Sequence, residues 1–340
     1  MKEKIIQTFE FAGLNWLSPW VRLIYGEDPK EQMKSLWATS GVPILTFSIF
    51  FCLWAVVASQ IKTNLGTLPG PGLVFAQAES LVLEYKEEKT KEKEFNAKEK
   101  ERVAQKQAEN PGQEIKTRKY SGKPTFPGQI WTSIVTVFTG FLIASLVAIP
   151  IGVLCGLSRP LMTALNPLIQ IFKPVSPVAW LPIVTMVVSA VYTVPKPWLE
   201  KCFIISAITV SLCSIWPSLI NTALGVASID KDYLNVARVL RLNLSTKIFK
   251  IVLPASMPYI FTGLRISLGV GWMVLIAAEL LSQNPGLGKF VWDEFQNGSS
   301  QSLARIMVAV FTIGFIGFVL DRIMVTLNKV VSFGHGTSTS

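Results

Sequence analysis

The sequence predicts an all-α membrane protein whose chain crosses the bilayer six times. Half of its 340 residues are apolar and only 16% are charged, against about 25% charged residues in a typical soluble chain. Six stretches are apolar over roughly the ~20 residues that a spanning helix needs. The net charge of +10 comes from Lys and Arg residues in short segments between the apolar stretches. Polytopic membrane proteins distribute basic residues in this way, so we expect membrane lipid and no nucleic acid as a partner.

The six predicted spans differ in regularity. The first two contain no charged residue, whereas the third contains Lys173 and four prolines, so we expect the third to cross as a broken helix. The fifth contains Arg265 and Glu279. Spans two to six form a predicted core over residues 131–328. The predicted spans are residues 38–59, 131–157, 165–192, 203–226, 257–282 and 304–325.

The charges of the loops predict the orientation of the chain. The loop 227–254 holds five basic residues against two Asp, whereas the loop 193–202 holds two lysines, so the positive-inside rule places loop 227–254 in the cytoplasm. An even number of spans then places both termini in the cytoplasm as well. The segment 60–130 carries thirteen Lys and Arg, but loops longer than about 60 residues are exported largely regardless of charge. We therefore expect that segment outside.

The two ends of the chain lie outside the predicted spans. Residues 1–37 lack the compact apolar core of a cleavable signal peptide, and they interleave apolar with charged residues. This pattern predicts an amphipathic segment, either lying in the membrane interface or packed on the flank of the spans. Residues 329–340 form a tail with the single histidine, His335, which we expect to be incidental. The four cysteines lie in or beside apolar stretches and predict neither a disulfide framework nor a metal site.

Residues 84–109 differ in composition from the rest of the chain. They hold eight acidic and eight basic residues and neither proline nor glycine. Glu87 and Lys91 have the i,i+4 spacing that supports a solvated helix. We expect a charged helical insertion over residues 84–123, as a helical hairpin arm or as one long helix ended by Asn110-Pro111-Gly112. A docking arm and an exposed spacer both fit this composition.

The familiar enzyme motifs are missing from the sequence. Around Gly288-Lys289, Gln283 stands where a phosphate-binding loop needs its first glycine, and Phe290 stands where it needs Ser or Thr. A single histidine excludes histidine-based catalytic triads and multi-histidine metal sites. We expect no catalytic residue, no metal and no cofactor on this chain, and passage of a solute as its function.

The loop 227–254 predicts a short helix that presents a surface to another protein. Asp230 and Asp232 are placed to cap this helix, and Asn243 precedes a second short helix. The loop ends in Ile251-Val-Leu-Pro254. It resembles the loop that marks permease subunits of binding-protein-dependent ABC importers, whose pattern is Glu-Ala-Ala, three residues, Gly, about nine residues and Ile-x-Leu-Pro.

The match to that pattern is partial. Asn235 and Val236 replace the first two residues, Ala237 is kept, and Arg241 stands at the glycine position. Further motifs extend the resemblance over most of the chain, which is similar to the nitrate, bicarbonate, cyanate, taurine and alkanesulfonate permeases and most like the cyanobacterial nitrate and bicarbonate members. The charged segment looks like an insertion that this family usually lacks. The further motifs are Leu68-Pro69-Gly70-Pro71, residues 148–152, residues 173–182, Ala277-Ala278-Glu279-Leu280 and residues 286–293.

The resemblance implies a type I ABC importer permease fold, with a five-helix core, a flanking helix and a cytoplasmic coupling helix. It implies a homodimer that docks on two cytoplasmic ATPases, which bind ATP and Mg, and that receives an anion from a periplasmic binding protein. Nitrate or nitrite is the first expectation, with bicarbonate, cyanate and sulfonate or taurine as alternatives. A gradient-driven secondary anion transporter would also explain a broken third span. The coupling residues that the resemblance implies are Tyr233, Leu234, Asn235, Ala237, Arg238, Arg241, Leu242 and Asn243.

Ionisable residues inside the spans are candidates for the solute pathway, because each costs ~2.5–3.5 kcal/mol at the bilayer centre. Lys173 is the first choice for attracting an anion. Arg265 and Glu279 are fourteen residues apart, or ~21 Å along a helix, which is too far for a direct pair. Snorkelling, pairing with a neighbouring span and ordinary helix packing are the alternatives. The predicted pathway residues are Lys173, Ser176, Trp180, Thr185, Arg265, Ser267, Trp272 and Glu279.

Overall fold

The computed structural model describes residues 18–24, 29–63, 66–109, 117–193 and 200–333, which are almost entirely helical. One antiparallel pair of two-residue strands, Lys62–Thr63 (β1) and Gly66–Thr67 (β2), precedes the longest helix. The thirteen α-helices of these residues are α1 Ser18–Ile24, α2 Pro29–Leu36, α3 Val42–Gln60, α4 Pro71–Glu109, α5 Phe126–Leu157, α6 Arg159–Phe172, α7 Pro177–Val191, α8 Lys201–Ala227, α9 Lys231–Val239, α10 Leu244–Lys247, α11 Leu253–Ser282, α12 Leu287–Asn297 and α13 Ser300–Phe333.

The helical membrane fold predicted from the sequence is confirmed. Five helical stretches of the described residues are long and apolar enough to cross a membrane, and a sixth candidate is the pair α6–α7, bent by 101°. The bend falls inside the predicted broken span 165–192, where four residues separate the two helices. The five stretches are Met33–Gln60, Phe126–Leu157, Lys201–Ala227, Leu244–Ser282 and Ser300–Val331.

Helices α5 and α8 pack closely because glycines remove the side chains between them. A Cβ added at Gly140 would lie 2.6 Å from the carbonyl oxygen of Ala207, and one at Gly152 would lie 2.7 Å from Cβ of Thr222. Small residues let spanning helices approach in this way. Since later residues of α5 meet later residues of α8, the two helices run parallel.

Helix α11 runs antiparallel to α8 and completes a three-helix core. A Cβ at Gly263, in the first half of α11, would lie 2.8 Å from Cβ of Asn221. At the far end of α11, the hydroxyl oxygens of Ser206 and Ser282 are 2.7 Å apart. The bundle therefore has two ends. The loop end holds the end of α8, the helix α9 and the start of α11, and the arm end holds the start of α5 and the end of α11.

Helix α4 begins at the arm end and is a single helix of 39 residues. Its first part packs against α12 and α13, where Leu81, Phe290 and Val308 share a buried apolar cluster. The remainder forms an arm, and the chain returns along it as the non-helical segment 117–125. Of the two expected forms, the described residues have one long helix. Its predicted terminator, Asn110-Pro111-Gly112, lies outside the described residues.

Helix α3 lies on the flank of the bundle. Ala58 is its one buried residue, and its Trp54 ring contacts Phe311 of α13 at 5.3 Å between centroids. Within the predicted N-terminal amphipathic segment, the structure describes α1, α2 and the single turn that joins α2 to α3. Residues 1–17 and 25–28, much of the loop 193–202, and residues 334–340 with His335 lie outside the described residues.

Candidate functional site

Two regions of the structure carry the residues that the sequence singles out. The first is the loop between α8 and α11, where the predicted short helix forms as α9. The Asp230 carboxylate accepts a hydrogen bond from the Asp232 amide at 3.0 Å, and the Asn243 carbonyl oxygen Oδ1 caps α10 by accepting from the Thr246 amide at 2.9 Å. Polar residues at these positions therefore start both helices, as the sequence predicts.

The turn after α9 explains why a glycine stands in the family pattern at the position of Arg241. Arg241 has φ 48°, in the left-handed region that favours glycine. The Leu242 amide donates to the Ala237 carbonyl at 3.0 Å. A left-handed residue followed by this backward hydrogen bond is the Schellman ending of a helix. The sharp turn is kept, although an arginine occupies its most restricted position.

Helix α9 presents apolar side chains to the exterior. Ala237 is buried against the chain, whereas Asn235, Arg241 and Asn243 are exposed and Leu242 is half-buried. The positions of Leu234 and Arg238 lie on α9, but their side chains are outside the description. An exposed apolar patch of this kind marks a protein or membrane contact. The exposed apolar residues of the loop are Tyr233, Val236, Val239, Leu240, Leu244 and Phe249.

The second region is the break between α6 and α7, over residues 173–176. The Phe172 ring stacks on Trp216 with an interplanar angle of 7°, and Trp216 lies near the middle of the 27-residue helix α8. The break therefore lies level with the middle of α8. Lys173 and Ser176 are exposed there, and the Ser176 hydroxyl caps α7 by accepting from the Val178 amide at 3.3 Å.

Aromatic rings surround this break. The Phe172 ring lies 5.7 Å from the Trp180 ring and 6.4 Å from the Trp216 ring. The indole Nε1 atoms of both tryptophans are buried and have no hydrogen-bond partner among the described residues. Thr185 is half-buried two turns further along α7. The break thus combines one exposed ammonium group, the positive end of a helix dipole and two unused N–H donors.

Two predicted pathway residues of α11 make contacts with α13. Arg265 forms a two-point ion pair with Asp321, with N–O distances of 2.6 and 3.1 Å. Trp272 is buried, and its indole Nε1 donates to the Ile313 carbonyl at 3.0 Å. The structure thus gives Arg265 a carboxylate on a neighbouring span, which is the pairing alternative for that residue.

The two other predicted residues of α11 lie inside the three-helix core. Ser267 is buried, and its hydroxyl oxygen lies 2.7 Å from that of Ser218 on α8. Glu279 is also fully buried. Its carboxylate accepts hydrogen bonds from the Ser133 hydroxyl at 2.8 Å and from the Gly288 amide at 3.0 Å. Glu279 therefore joins α5, α11 and the start of α12.

The sequence did not single out Trp216 or Phe172, which complete the aromatic surroundings of the break. Their signal was weak, because an aromatic residue in an apolar span is most often a packing residue. Trp216 precedes Pro217 in α8, but nothing in that pair indicates which helix the ring faces. The stacking becomes visible once the bend of α6–α7 brings Phe172 to the middle of α8.

Comparisons with known proteins agree with this geometry. The family model described as "Binding-protein-dependent transport system inner membrane component" matches residues 148–332. Nitrate import permease protein NrtB of Synechococcus elongatus is 38% identical over 204 residues, which are 60% of this chain and 69% of that protein. Bicarbonate transport system permease protein CmpB of the same organism is 41% identical over 206 residues, 59% of this chain and 69% of that protein.

A solved structure supports the fold independently. A chain of the MetNI methionine ABC transporter, in an inward-facing conformation, is similar to 61% of this chain over 95% of its own length. The TM-score is 0.51 and the sequence identity is 13%. At that identity the likeness concerns the fold.

Proposed function

Because the chain belongs to the family of inner membrane components of binding-protein-dependent transport systems, we propose that it passes nitrate across the inner membrane. It is a multi-pass permease subunit of an ABC importer of the nitrate or bicarbonate type. The observation that supports an anion is the break between α6 and α7. There an exposed Lys173 lies level with the middle of the spanning helix α8, a depth at which a charged group is seldom kept without a role.

The groups around the break suit an anion that only accepts hydrogen bonds. The Lys173 ammonium group and the indole N–H groups of Trp180 and Trp216 are all donors. The N-terminus of α7 adds a partial positive charge, and discontinuous helices hold anionic groups in this way in other transporters. Nitrate carries acceptors alone, whereas bicarbonate also carries an O–H group that requires an acceptor. The hydroxyl groups of Ser176 and Thr185 can both donate and accept, so donors outnumber acceptors at the break. This excess of donors is our reason for preferring nitrate over bicarbonate.

We propose that Lys173, Ser176, Trp180 and Thr185 line the pathway of the anion. The other four predicted residues, which make contacts between helices, are proposed to hold the pathway in shape. An anion that leaves its water shell in the membrane needs compensating donors. The indole N–H groups of Trp180 and Trp216 are buried and have no partner among the described residues. We propose that they become donors to the anion when the spans move and uncover them.

Passage is proposed to be driven by other subunits. Two copies of this chain would dock on two cytoplasmic ATPases, which bind ATP and Mg, and would receive the anion from a periplasmic binding protein. This chain is proposed to hydrolyse no ATP itself. The exposed apolar face of α9, with Tyr233 at 62% exposure, would lie in a cleft of the ATPase. Movement of the docked helix would tilt the spans and alternate their access, as rigid coupled elements do.

The proposed orientation follows from the same assignment. If α9 contacts the ATPases, the loop end is cytoplasmic and the arm end is external. Helix α13 begins at the arm end and spans the membrane, so its end and the C-terminal tail would be cytoplasmic. The basic residues of loop 227–254 support this orientation by the positive-inside rule.

The test is ATP-driven uptake by the complete complex in proteoliposomes, with Lys173→Ala as the variant. Loss of a charged hydrogen-bond donor to the anion costs about 1.5–3 kcal/mol. We therefore expect nitrate uptake to fall by at least about tenfold. Lys173→Arg keeps the charge and is expected to retain most of the uptake. Size-exclusion chromatography would establish that each variant still assembles with its ATPases.

Lys201→Ala serves as the matched control, because Lys201 is an exposed lysine at the arm end of α8. Its uptake should equal that of the unaltered complex. Unchanged nitrate uptake in assembled Lys173→Ala would remove that residue from the pathway. Uptake of bicarbonate that nitrate does not inhibit would show that the solute is bicarbonate and not nitrate. Uptake without any ATPase would favour a gradient-driven transporter.

A further inference from the structure

The arm of α4 carries a lysine stripe, which we define as Lys86, Lys89, Lys93 and Lys100. At 3.6 residues per turn these four positions fall within about 60° of one another around the helix. They extend over ~21 Å along the axis at 1.5 Å per residue. All four side chains are exposed. The same face continues through Ala104 and Gln107 without an acidic residue.

The stripe does not serve the stability of the arm itself. Lys86 and Lys89 are three residues apart, and Lys89 and Lys93 are four apart, so their like charges repel on one helix face. The Lys89 ammonium lies 3.2 Å from the hydroxyl of Tyr85, which leaves the positive charge in place. A face that keeps four aligned like charges at a cost to its helix indicates an oppositely charged partner.

Most acidic residues of the arm lie on other faces, and Glu92, three residues after Lys89, is the exception that lies beside the stripe. Glu87, Glu94 and Glu101 follow each other at intervals of seven residues, on a face about 110° from the middle of the stripe. Glu88 and Glu99 instead bind the returning segment 117–125. Together with that segment, residues 85–123 as described hold eleven Lys and Arg against seven Glu, a net charge of +4.

The returning segment is held against the arm by the carboxylates of Glu88 and Glu99. The Tyr120 hydroxyl donates to Glu88 at 2.7 Å, and this hydrogen bond lowers the pKa of the Glu88 carboxyl. The side chain of Arg102 and the amide of Arg118 donate to Glu99 and lower the pKa of its carboxyl to about 2. Both carboxylates are thus charged and occupied at neutral pH, so neither of them compensates the lysine stripe.

The position of the arm limits which partners can contact the lysine stripe. Its root is fixed by Arg305 of α13, which pairs with Glu84 of α4 and with Glu294 of α12 at 3.3 Å. From Glu84 to Glu109 the helix continues for about 38 Å. The arm lies at the end of the bundle opposite to α9. A partner that docks on α9 therefore does not reach the stripe.

Two other occupants are disfavoured by the chemistry of the arm. A helix that lies on a membrane needs an exposed apolar face, and no large apolar side chain is exposed between Glu84 and Glu109. A second copy of the arm would bring a further charge of +4 against the stripe. A soluble protein with an acidic surface fits both observations.

We propose that the lysine stripe is a docking surface for an acidic patch of the solute-binding protein. This inference rests on the proposed function, which places the arm end outside and requires a binding protein there. A net positive arm of this reach would capture an acidic protein from solution and guide it to the mouth of the pathway. Such electrostatic capture raises the association rate and weakens with salt.

The test measures binding of the anion-loaded binding protein to the complete transporter in nanodiscs of zwitterionic lipid. The variant changes all four lysines of the stripe to Gln, which has a similar helix propensity. We expect the Kd to rise at least about tenfold at low ionic strength and its dependence on salt to weaken. Replacement of the same four lysines by Arg should restore binding to within about twofold, since the charge is kept.

The matched control changes Glu87, Glu94 and Glu101 to Gln on the same helix. This control alters three charges on another face, and its Kd should not rise. Equal loss in the control and in the Lys→Gln variant would mean that the arm is damaged generally, and the proposal would be overturned. Unchanged binding by the Lys→Gln variant would also overturn it. An affinity loss that appears only with anionic lipid would assign the stripe to the membrane instead.

The outcome separates this inference from the proposed function. Nitrate uptake by the unaltered complex together with unchanged binding by the variant would remove the docking surface and keep the function. Loss of binding by the variant in a complex that carries another anion would keep the docking surface and change the solute. Uptake at saturating binding protein should be the same with and without the stripe, because the lysines lie outside the pathway.

Discussion

Polar side chains have different burial and hydrogen-bond partners in the three-helix core and at the break between α6 and α7. In the core of α5, α8 and α11, Glu279 and Ser267 are fully buried and bind partners on neighbouring elements. At the break, Lys173 is exposed, and the Trp180 indole has no partner among the described residues. Glu279 and Ser267 therefore fix distances between helices, whereas the exposed Lys173 is proposed to be available to a solute. This difference predicts which substitutions change stability and which change transport.

Replacement of Glu279 by Ala should have the largest effect on stability. The Ser133 hydroxyl and the Gly288 amide would both lose their acceptor inside the core. A buried donor without a partner costs about 1–3 kcal/mol, so we expect a loss of about 3 kcal/mol in the free energy of unfolding. Denaturant titration of the purified permease in detergent would measure this loss.

Two neighbouring substitutions check the interpretation of Glu279. Glu279→Gln keeps one acceptor oxygen and should lose less stability than Glu279→Ala. A Cβ at Gly286 would overlap the Glu279 carboxylate, so Gly286→Ala should also destabilise the core. If Glu279→Ala unfolded like the unaltered chain and instead abolished uptake, the residue would belong to the pathway and the comparison would fail.

Replacement of Trp180 or Trp216 by Phe should change transport and leave stability nearly unaltered. Each substitution removes an N–H donor that has no partner in the described chain, while it keeps an aromatic ring. A neutral hydrogen bond contributes about 1 kcal/mol, so we expect nitrate uptake to fall about fivefold in each variant. Initial uptake rates at subsaturating nitrate would show this effect.

Trp272→Phe provides the contrasting case. The indole of Trp272 donates to the Ile313 carbonyl at 3.0 Å, so this substitution should lower stability by about 1 kcal/mol and leave uptake unchanged in assembled complexes. Equal loss of uptake in all three Trp→Phe variants would contradict the distinction between the core and the break.

The sequence predicted the elements of this comparison better than their contacts. Prolines in the third apolar stretch predicted its interruption, because proline removes a backbone donor and clashes within a helix. The hydropathy pattern predicted the five long spans to within a few residues at most ends. The first span is longer than predicted, since α2 and a single turn continue into α3.

Contacts between distant residues could not be predicted from one sequence. Glu279 binds Ser133 across 146 residues, and Arg265 binds Asp321 across 56. The spacing of fourteen residues along one helix excluded a direct pair between Arg265 and Glu279, but it did not predict a partner for either residue. Which helix faces which is set by packing, and the glycines that allow α5 and α8 to approach do not identify their neighbour. The hydrogen bonds of the returning segment to Glu88 and Glu99 were unforeseen for the same reason.

At Arg241 the energetic cost lies in the backbone conformation and not in a side-chain contact. Its φ of 48° is unfavourable for any residue with a Cβ, whereas glycine adopts it freely. Arg241→Gly should therefore stabilise the turn after α9 by about 1 kcal/mol. The relief of backbone strain exceeds the larger conformational entropy that glycine loses on folding. Hydrogen exchange of the Leu242 amide, which closes the turn on Ala237, would measure the gain as slower exchange.

The same variant separates two roles of Arg241 at the proposed ATPase contact. Coupling that survives in Arg241→Gly would mean that the shape of the turn matters and the guanidinium does not. Coupling that is lost, with slower exchange of the Leu242 amide, would mean that the arginine is kept for a charged contact in spite of its backbone cost. Faster exchange would contradict the strain argument itself, because removal of the Cβ at a left-handed position has no destabilising contact to break.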